Sequence, residues 1–494
     1  MNFKRVGNLW YLAGAVWLAS CADGVDDNER FTIGVTNTQL ESPKIGNENF
    51  SVVVNSDGTE SVVVNWPLVS GAGGYLVNVN IVDDPTAPVT IVKDSLIDGC
   101  SIVFNRLEDT KYEFSLKTVG NSKLNNKDAA EATNFAYSTM LTATSIPEGS
   151  DIAEFINSNL IDSNNEQAFE LEAGKTYTLN SVVDFRTNYV TFRGGSKKNR
   201  PIVVVGEKGG LMTQNGLKVK FVNFDCSALQ QEKGFIGLGK EPDQSTYYEN
   251  KGYAALGATM ASYIIDNPII LQECNIKGLN NRPIIHNNNA GWCVKDFRIV
   301  DCLVQIKMDG SVSNNSFICM ENVDWTKPTT TSVICNVMVK NSTIYNLADD
   351  SKNRFIRFSR QIDPNQAFGT GATSNYTFTS STISKLMSMK EMGNNVKNSN
   401  KYYSDVSKCI FYDTWRLQKL FQSNWVKTWD KNTIFGVKNT VDSTDGKYCT
   451  EEDPQFVGPI DKELDLSQSN GGVNFKPQGA NAVSWGAGDP RWLE

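Results

Sequence analysis

The stretch that decides the fold lies between Pro268 and Val437, where one short phrase recurs. Each copy has a polar residue or cysteine, then one residue, then a β-branched or aromatic apolar residue and a turn. The copies are ECNIKGL (273–279), DCLVQIK (301–307), NSTIYNL (341–347), SSTISKL (380–386), KCIFYDT (408–414) and KNTIFGV (431–437). The apolar position moves through Ile276, Val304, Ile344, Ile383, Phe411 and Ile434, in steps of 28, 40, 39, 28 and 23 residues.

A unit that recurs at this interval predicts a solenoid. The units are rich in β-branched residues and lack helical spacing, which favours coils of a right-handed parallel β-helix, with the longer steps holding a coil plus a surface insertion. A single coil cannot bury its own apolar face, so stacking of coils must supply the core. We therefore predict that the six apolar positions form one interior column.

The composition indicates a globular, acidic chain. Its 494 residues suffice for two or three units, and 40% are apolar while 21% are charged. The formal net charge of −8 argues against nucleic acid as the main partner, although a local basic patch can still hold an acidic glycan.

The ten cysteines form no CxxC pair, and His286 is the only histidine. A zinc site needs clustered ligands, so we predict no metal bound by cysteine and histidine. Cys274 and Cys302 hold equivalent positions in the repeat and are expected to be buried as small apolar residues. No cofactor is predicted, apart from calcium if the chain is a lyase.

Residues 1–21 read as an export signal. Lys4 and Arg5 precede an apolar run that is too short to span a bilayer, and the run ends in LASC at Cys21. This end resembles the cleavage box of bacterial lipoproteins, which implies that Cys21 is lipidated; the alternative is an ordinary signal peptide with a chance cysteine. The acidic stretch that follows is similar to the export signal of surface lipoproteins in Bacteroidetes, and 22–37 would be a flexible acidic tether. The resemblance implies an outer-membrane, extracellular-facing location with membrane lipid as a partner.

Residues 38–146 read as a β-sandwich, because seven short β-rich runs separated by turns match the count of an immunoglobulin-like fold. The pieces VVVNWPLVSGAGGYLVNV and LEDTKYEFSLKTV resemble fibronectin type III modules. The resemblance implies that Trp66 is the core tryptophan of the second strand, and that Leu107 and Tyr112 form a corner before the sixth strand. The predicted runs are Ser51–Asn55, Ser61–Trp66, Tyr75–Ile81, Thr90–Lys93, Ser101–Phe104, Tyr112–Val119 and Ala136–Ala143.

The β-helix is predicted over 147–494. An amphipathic helix, DIAEFINSNL (151–160), follows Ser150, which we expect to cap it, and the helix would cover the open end of the first coil. The stretches 229–262 and 387–405 break the pattern and are interpreted as insertions. Residues 453–494 are expected to close the other end.

The DPxF and GDPRW pieces near the C-terminus, taken with the coil phrases, resemble Bacteroidetes proteins in which a fibronectin-like module precedes a pectate-lyase-like β-helix. Those families are domains of unknown function. The resemblance implies an outer-surface protein used for polysaccharides, with glycan-uptake outer-membrane proteins as partners. It carries over no catalytic residues.

The sequence offers candidate residues for two kinds of catalysis. Hydrolysis of a glycosidic bond needs two carboxylates, and Asp349 and Asp350 are the best pair. The Gly-His-Gly turn of related hydrolases is absent, and a solvated turn is the favoured explanation of the pair. Elimination from a uronate needs a cation for the carboxylate and a base. The stretch RFIRFSR (354–360) offers Arg354, Arg357 and Arg360, with Phe355 and Arg357 expected on an exposed coil face. Charge balance with neighbouring acids is the alternative.

Sugar binding is the third reading. The stretch YDTWRLQKLFQSNWVKTWD (412–430) holds Trp415, Trp425 and Trp429 among basic residues, and Trp292 and Trp325 lie in polar turns elsewhere. The leading hypothesis is a cell-surface protein that binds an acidic, pectin-like or other polysaccharide without catalysis. The alternatives are a polysaccharide lyase acting on a uronic-acid-containing glycan and an architectural subunit of a glycan-uptake complex.

Overall fold

The computed structural model describes residues 35–55, 59–230, 234–253, 262–311, 316–321, 323–348, 354–386, 392–414, 416–436 and 449–494. The chain divides into two compact units, Met1–Thr139 and Met140–Glu494. No helix within the described ranges is long and apolar enough to cross a membrane.

The first unit holds two antiparallel sheets. One has the strand order β1–β2–β5 and the other β4–β3–β6–β7. Alternation of side chains along the central strands builds the core between the sheets, as in β6, where every second residue from Tyr112 to Thr118 is buried. The strands are β1 (Phe50–Val54), β2 (Glu60–Asn65), β3 (Ala72–Ile81), β4 (Val89–Ile97), β5 (Ser101–Asn105), β6 (Lys111–Gly120) and β7 (Thr133–Ser138).

Two predicted core features occur in this unit. Trp66 follows β2, is buried, and meets Tyr75 edge to face with ring centroids 5.5 Å apart. The Tyr112 hydroxyl accepts a hydrogen bond of 2.9 Å from the Leu107 amide, which makes the expected corner. The last predicted run, Ala136–Ala143, differs from the observed strand β7, which ends at Ser138, and the next strand, Thr144–Ile146, belongs to the second unit.

The second unit is a parallel β-helix with three long sheets. Its strands are β8 (Thr144–Ile146), β9 (Gln167–Leu171), β10 (Thr176–Leu179), β11 (Val182–Asp184), β12 (Val190–Gly194), β13 (Ile202–Val205), β14 (Gly210–Thr213), β15 (Leu217–Lys220), β16 (Asn223–Asp225), β17 (Ile236–Leu238), β18 (Tyr263–Ile265), β19 (Ile269–Gln272), β20 (Asn275–Asn280), β21 (Ile285–His286), β22 (Trp292–Val300), β23 (Leu303–Lys307), β24 (Ser316–Met320), β25 (Val333–Lys340), β26 (Thr343–Asn346), β27 (Arg354–Phe358), β28 (Ser374–Thr379), β29 (Thr382–Ser384), β30 (Gly393–Asn394), β31 (Tyr402–Ser407), β32 (Ile410–Tyr412), β33 (Val426–Asp430) and β34 (Thr433–Phe435).

Each coil visits the sheets in the same order. Sheet I is the eleven-stranded sheet that runs from β8 and β9 to β33, sheet II the nine-stranded sheet from β10 to β34, and sheet III the seven-stranded sheet from β11 to β30. A coil such as β22–β23–β24 passes through sheets I, II and III and then returns to sheet I in the next coil, β25. This order places every turn from sheet III to sheet I along one edge of the β-helix.

The predicted interior column is confirmed. Sheet II pairs Ile276 with Val304, Val304 with Ile344, Ile344 with Ile383, Ile383 with Phe411 and Phe411 with Ile434, always in parallel. All six side chains are buried in one continuous core.

The polar or cysteine position of the phrase forms a second ladder at the corner between sheets I and II. Cys302 donates its amide to Ser342 Oγ at 3.0 Å, Ser342 donates to Ser381 Oγ at 3.2 Å, and Cys409 donates to Asn432 Oδ1 at 2.9 Å. The residue before each ladder position has a positive φ, between 46° and 57°, so the chain turns sharply and aims the ladder side chain inward. Cys274 and Cys302 are buried in this ladder, as predicted.

The N-terminal end is covered by α1 (Ile152–Asn159), which buries Ile152, Ala153 and Ile156. The predicted cap was wrong by one residue. Asp151, not Ser150, accepts the hydrogen bond from the Glu154 amide, and its other carboxylate oxygen also accepts from the Asn180 amide. Asp151 therefore fastens the helix to the adjacent coil.

The C-terminal segment was predicted to close the far end, but after Thr450 pairs with Thr433 it turns back along the outer face of sheet II. Leu464, Phe475 and Trp492 pack on the outward-facing side chains of Leu303 and Tyr345. These outward positions are apolar, so the face needs a cover. The segment includes α3 (Ala480–Trp485); the short helix α2 (Asn365–Phe368) lies in a turn from sheet III to sheet I.

Candidate functional site

The turns from sheet III to sheet I line a groove of about 1040 Å³. Its residues follow β17, β21, β24, β27 and β30, so the groove crosses five successive coils. Adjacent strands lie about 4.8 Å apart, which gives the groove a length of roughly 19 Å. The lining residues are Lys240, Glu241, Pro242, Tyr263, Asn288, Asn289, Ala290, Glu321, Val323, Asp324, Trp325, Lys327, Thr329, Ser359 and Asn395.

Trp325 is the exposed aromatic residue of this groove, with 59% of its surface accessible. A tight turn holds it. The Asp324 carboxylate accepts hydrogen bonds from the Thr326 amide and hydroxyl, at 2.9 and 2.6 Å, and these bonds lower the pKa of Asp324. The Asp324 amide in turn donates to the Asn289 carbonyl of the preceding coil at 3.0 Å. The turn is thus anchored to the scaffold and presents the indole outward.

Arg360 supports the indole from one side. Its guanidinium carbon lies 4.8 Å from the centroid of the Trp325 ring, within cation–π range. Its Nη2 donates to Thr330 Oγ1 at 3.0 Å, which restricts the side chain. We refer to these two side chains, which come from neighbouring turns, as the platform.

Glu321 and Arg357 form an ion pair beneath the platform. Their side chains are 23% and 12% exposed. Glu321 lines the groove, whereas Arg357 lies below it. The guanidinium charge is therefore compensated by a carboxylate of the protein, while Nε and Nη1 of Arg357 have no hydrogen-bond partner in the described structure.

The floor of the groove is built by polar side chains of the turn after β21. The Asn288 amide donates to His286 Nδ1 at 2.8 Å, and its side chain donates to the Leu238 carbonyl at 2.5 Å. Asn288 and Asn289 both have positive φ, which asparagine tolerates better than most residues. His286 is buried and acts here as a structural acceptor.

The structure corrects the prediction for RFIRFSR. Phe355, expected on the exposed face, is fully buried and stacks on Phe317 with ring centroids 5.4 Å apart. The amides of Phe355 and Ile356 both donate to the Met392 carbonyl, at 3.1 and 3.0 Å. The chain bends there on entering sheet III, so two consecutive side chains point inward and the period-two alternation fails.

The three arginines have different surroundings. Arg360 reaches the groove through Trp325, Arg357 is paired with Glu321, and Arg354 is half-buried at the start of β27. The structure thus brings Arg360 to the site and leaves Arg357 in the wall beneath it.

The structure also corrects two predicted sugar-contact residues. Trp425 is buried, stacks on Tyr402 at 4.9 Å, and donates its Nε1 to the Lys397 carbonyl. Trp429 is buried, meets Phe421 edge to face at 5.1 Å, and donates to Ser404 Oγ. Both indoles fill the core where the described residues of the last coils form no strand of sheet III, so neither ring face is open to a glycan. Trp292, weighed as a turn residue, is buried in β22.

Trp415, the pair Asp349 and Asp350, and the predicted lipidation site Cys21 lie outside the described residues. Sequence reasoning did not distinguish Trp325 from Trp292, the other tryptophan predicted in a polar turn. The available signal was its setting, Asp-Trp-Thr-Lys-Pro, in which an aspartate before a threonine predicts a rigid turn. Across the ranges that the structure describes, no three histidine, cysteine or acidic side chains converge as a metal site.

Comparisons with known proteins identify two family models along the chain. Residues 2–181 match the model of one domain of unknown function, DUF4992, and residues 175–347 match another, DUF4957. No characterised protein sequence matches the chain.

Two solved structures are similar at low identity. A pectate lyase from Erwinia chrysanthemi in complex with tetragalacturonic acid is 10% identical, with 84% of this chain and 89% of that one covered and a TM-score of 0.14. A pectate lyase from Pectobacterium carotovorum is 11% identical, with 82% and 89% covered and a TM-score of 0.17. The β-helix assignment rests on the strand register described above.

Proposed function

We propose that this chain is a lipid-anchored cell-surface protein that binds a polysaccharide in the groove between sheets III and I. The observation that carries the proposal is the platform of Trp325 and Arg360 at the side of a polar groove that crosses five coils. A sugar ring offers an apolar C–H face to an indole and hydroxyls to the polar groups around it.

The shape of the groove favours an extended ligand. Its lining residues come from successive coils of one rigid scaffold, so binding groups repeat along the axis of the β-helix. A polymer with a repeating unit matches such a site better than a compact small molecule does.

The charges of the groove favour a sugar held by stacking and hydrogen bonds. Lys240 and Lys327 are exposed at its rim, and they are offset by Glu241 and Asp324. The acidic-glycan preference expected from the sequence rested on Arg357, which is paired with Glu321. For the same reason the pair does not supply the free base that a lyase needs.

The location belongs to the same proposal. The LASC sequence ending at Cys21 would supply the lipid anchor, and the acidic residues after it would form the tether. The strand order of the first unit, β1–β2–β5 against β4–β3–β6–β7, supports a fibronectin type III-like spacer between the anchor and the binding unit. The polysaccharide would thereby be held at the outer membrane, beside glycan-uptake proteins.

The test is affinity electrophoresis of the purified protein against pectin, alginate, glycosaminoglycans and neutral plant glycans. Trp325→Ala should strongly reduce retention by the glycan that retains the native protein, and Trp325→Tyr should reduce it less. The loss of one stacked ring is expected to weaken binding by about tenfold or more.

Tyr403→Ala is the matched control, because Tyr403 is an exposed aromatic residue on sheet I away from the groove. Equal loss of retention in the Tyr403 and Trp325 variants would contradict the assigned site. Release of an unsaturated uronate, detected by ultraviolet absorbance, would replace the binding proposal with a lyase.

A further inference from the structure

The pentapeptide SVVVN occurs twice in the first unit, at 51–55 and at 61–65, and the two copies pair with each other. The strands β1 and β2 are antiparallel, with Val52 opposite Val62 and Val53 opposite Ser61. Equivalent positions, Val52 and Val62, therefore face each other. The structure thus contains a direct example of this sequence forming an antiparallel pair with its own copy.

The other side of β1 has no partner strand among the described residues, because β1 ends the sheet order β1–β2–β5. The Asn55 amide donates to the Thr59 carbonyl at 2.7 Å, which shows that Asn55 points its backbone groups at β2. The backbone N–H and C=O groups of alternate residues point to opposite edges of a strand. Those of Val53 therefore also point at β2, whereas those of Val52 and Val54 point at the free edge.

This edge is apolar and accessible. The exposed fractions of Val52, Val53 and Val54 are 44%, 42% and 72%. Natural edge strands are commonly protected by lysine, proline, a bulge or very short length. Phe50–Val54 reads FSVVV, with no charge and no proline, and its pairing with β2 is regular. A strand of this kind is a template for another strand.

We propose that the free edge of β1 binds β1 of a second copy of this chain, antiparallel and around a two-fold axis at Val52. Val52 of each copy would exchange its N–H and C=O bonds with Val52 of the other, and Val54 would donate to Phe50. The self-pairing of SVVVN inside the chain argues for a second copy as the occupant, because a two-fold interface requires a self-complementary patch.

The expected association is weak. A single five-residue edge buries less surface than a stable interface of about 1,200 Å² or more. Dimers should therefore appear only as the concentration rises, and a shared membrane surface would promote them. The inference does not depend on polysaccharide binding.

The test is sedimentation of the full chain in a mild detergent over a concentration series. Val52→Pro removes the N–H that points away from β2 and leaves the β1–β2 hydrogen bonds in place. Val52→Thr is the matched control, because it keeps both the N–H and a β-branched side chain. We expect the native chain and Val52→Thr to shift toward a dimer, and Val52→Pro to stay a monomer under the same conditions.

Hydrogen exchange of the native chain is the second measurement, which needs no variant. The amides of Val52 and Val54 should exchange more slowly as the concentration rises, while that of Val53, already bonded to β2, should not change. A native chain that is monomeric at its highest soluble concentration, or exchange at Val52 that is independent of concentration, would overturn the proposal. Dimerisation of folded Val52→Pro to the same extent as the native chain would overturn it too.

Discussion

At the scale of single residues, the corner between sheets I and II depends on small polar side chains in a buried place. Ser342 accepts the Cys302 amide and donates to the Lys340 carbonyl at 2.7 Å, so one hydroxyl serves two backbone groups. Leaving a buried amide without a hydrogen-bond partner costs more free energy than an average hydrogen bond contributes to stability. The ladder therefore stabilises the stack through the groups it keeps satisfied.

Ser342→Ala should remove the hydroxyl oxygen that accepts the hydrogen bond from the buried Cys302 amide. We expect the free energy of unfolding to fall by about 1–3 kcal/mol, seen as a lower denaturant midpoint. Ser342→Cys is the matched control, since Cys274, Cys302 and Cys409 occupy equivalent rungs, and it should lose less. Equal losses in both variants would show that packing, rather than the acceptor, determines the effect.

At the scale of elements, the C-terminal segment is the cover of sheet II. Asp489 makes buried polar contacts between this cover and sheet II. Its carboxylate accepts from Thr343 Oγ1 at 2.8 Å and from the Arg491 amide at 3.0 Å, and Arg491 Nε lies 4.0 Å from the carboxylate. The Asp489 amide donates to Thr382 Oγ1 at 3.3 Å. Burial raises the pKa of Asp489 to about 6.

The raised pKa predicts a pH dependence with a definite sign. The folded state holds the Asp489 proton more tightly than the unfolded state, so this group's contribution to stability is full below about pH 4 and is lost as the pH rises through about 6. Two pKa units correspond to about 3 kcal/mol. Comparison of the native protein with Asp489→Asn by denaturant titration between pH 4 and 7 should show that the variant lacks this slope.

Asp465→Asn is the control for that comparison. Asp465 is partly exposed in the same segment, and hydrogen bonds from Ser467 lower its pKa, so it titrates below the pH window. Its replacement should leave the slope between pH 4 and 7 as in the native protein. A slope that persists in Asp489→Asn would assign the effect to another group.

At the scale of the whole molecule, the β-helix converts a one-dimensional repeat into a linear binding surface. Turns that are 25 to 40 residues apart in sequence come together because every coil returns to the same edge. Trp325 and Arg360 meet in this way from successive coils. No segment of the chain contains the site by itself.

The length of the groove predicts how affinity depends on the length of the ligand. Calorimetry with oligosaccharides cut from a glycan that binds should show affinity rising with each added sugar unit. The rise should stop when the ligand fills the groove, whose five coils span roughly 19 Å. Balanced rim charges predict little change with added salt. A monosaccharide that binds as tightly as the longest oligosaccharide would contradict an extended site.

The core of the β-helix could be read from the sequence, because the apolar residue of each phrase has the same neighbours in every coil. The prediction failed at Phe355, where the chain bends and two adjacent side chains turn inward. The same adjacent apolar pair recurs as Phe235–Ile236, Ile284–Ile285 and Phe317–Ile318, all buried. These pairs mark the entry to sheet III, so the signal was present but required the coils to be aligned.

The sequence alone determined the repeat, the interior column and the buried cysteines, since each depends on local spacing or on the character of one residue. The corner at Tyr112 was implied by the resemblance to fibronectin type III modules. Only the tertiary structure decided that Trp425 and Trp429 are core, that Glu321 neutralises Arg357, and that Trp325 is the exposed ring beside Arg360. The physical reason is that exposure and pairing depend on which coils lie above and below a residue. Partners from 25 to 40 positions away in the chain determine that environment, and local patterns do not record it.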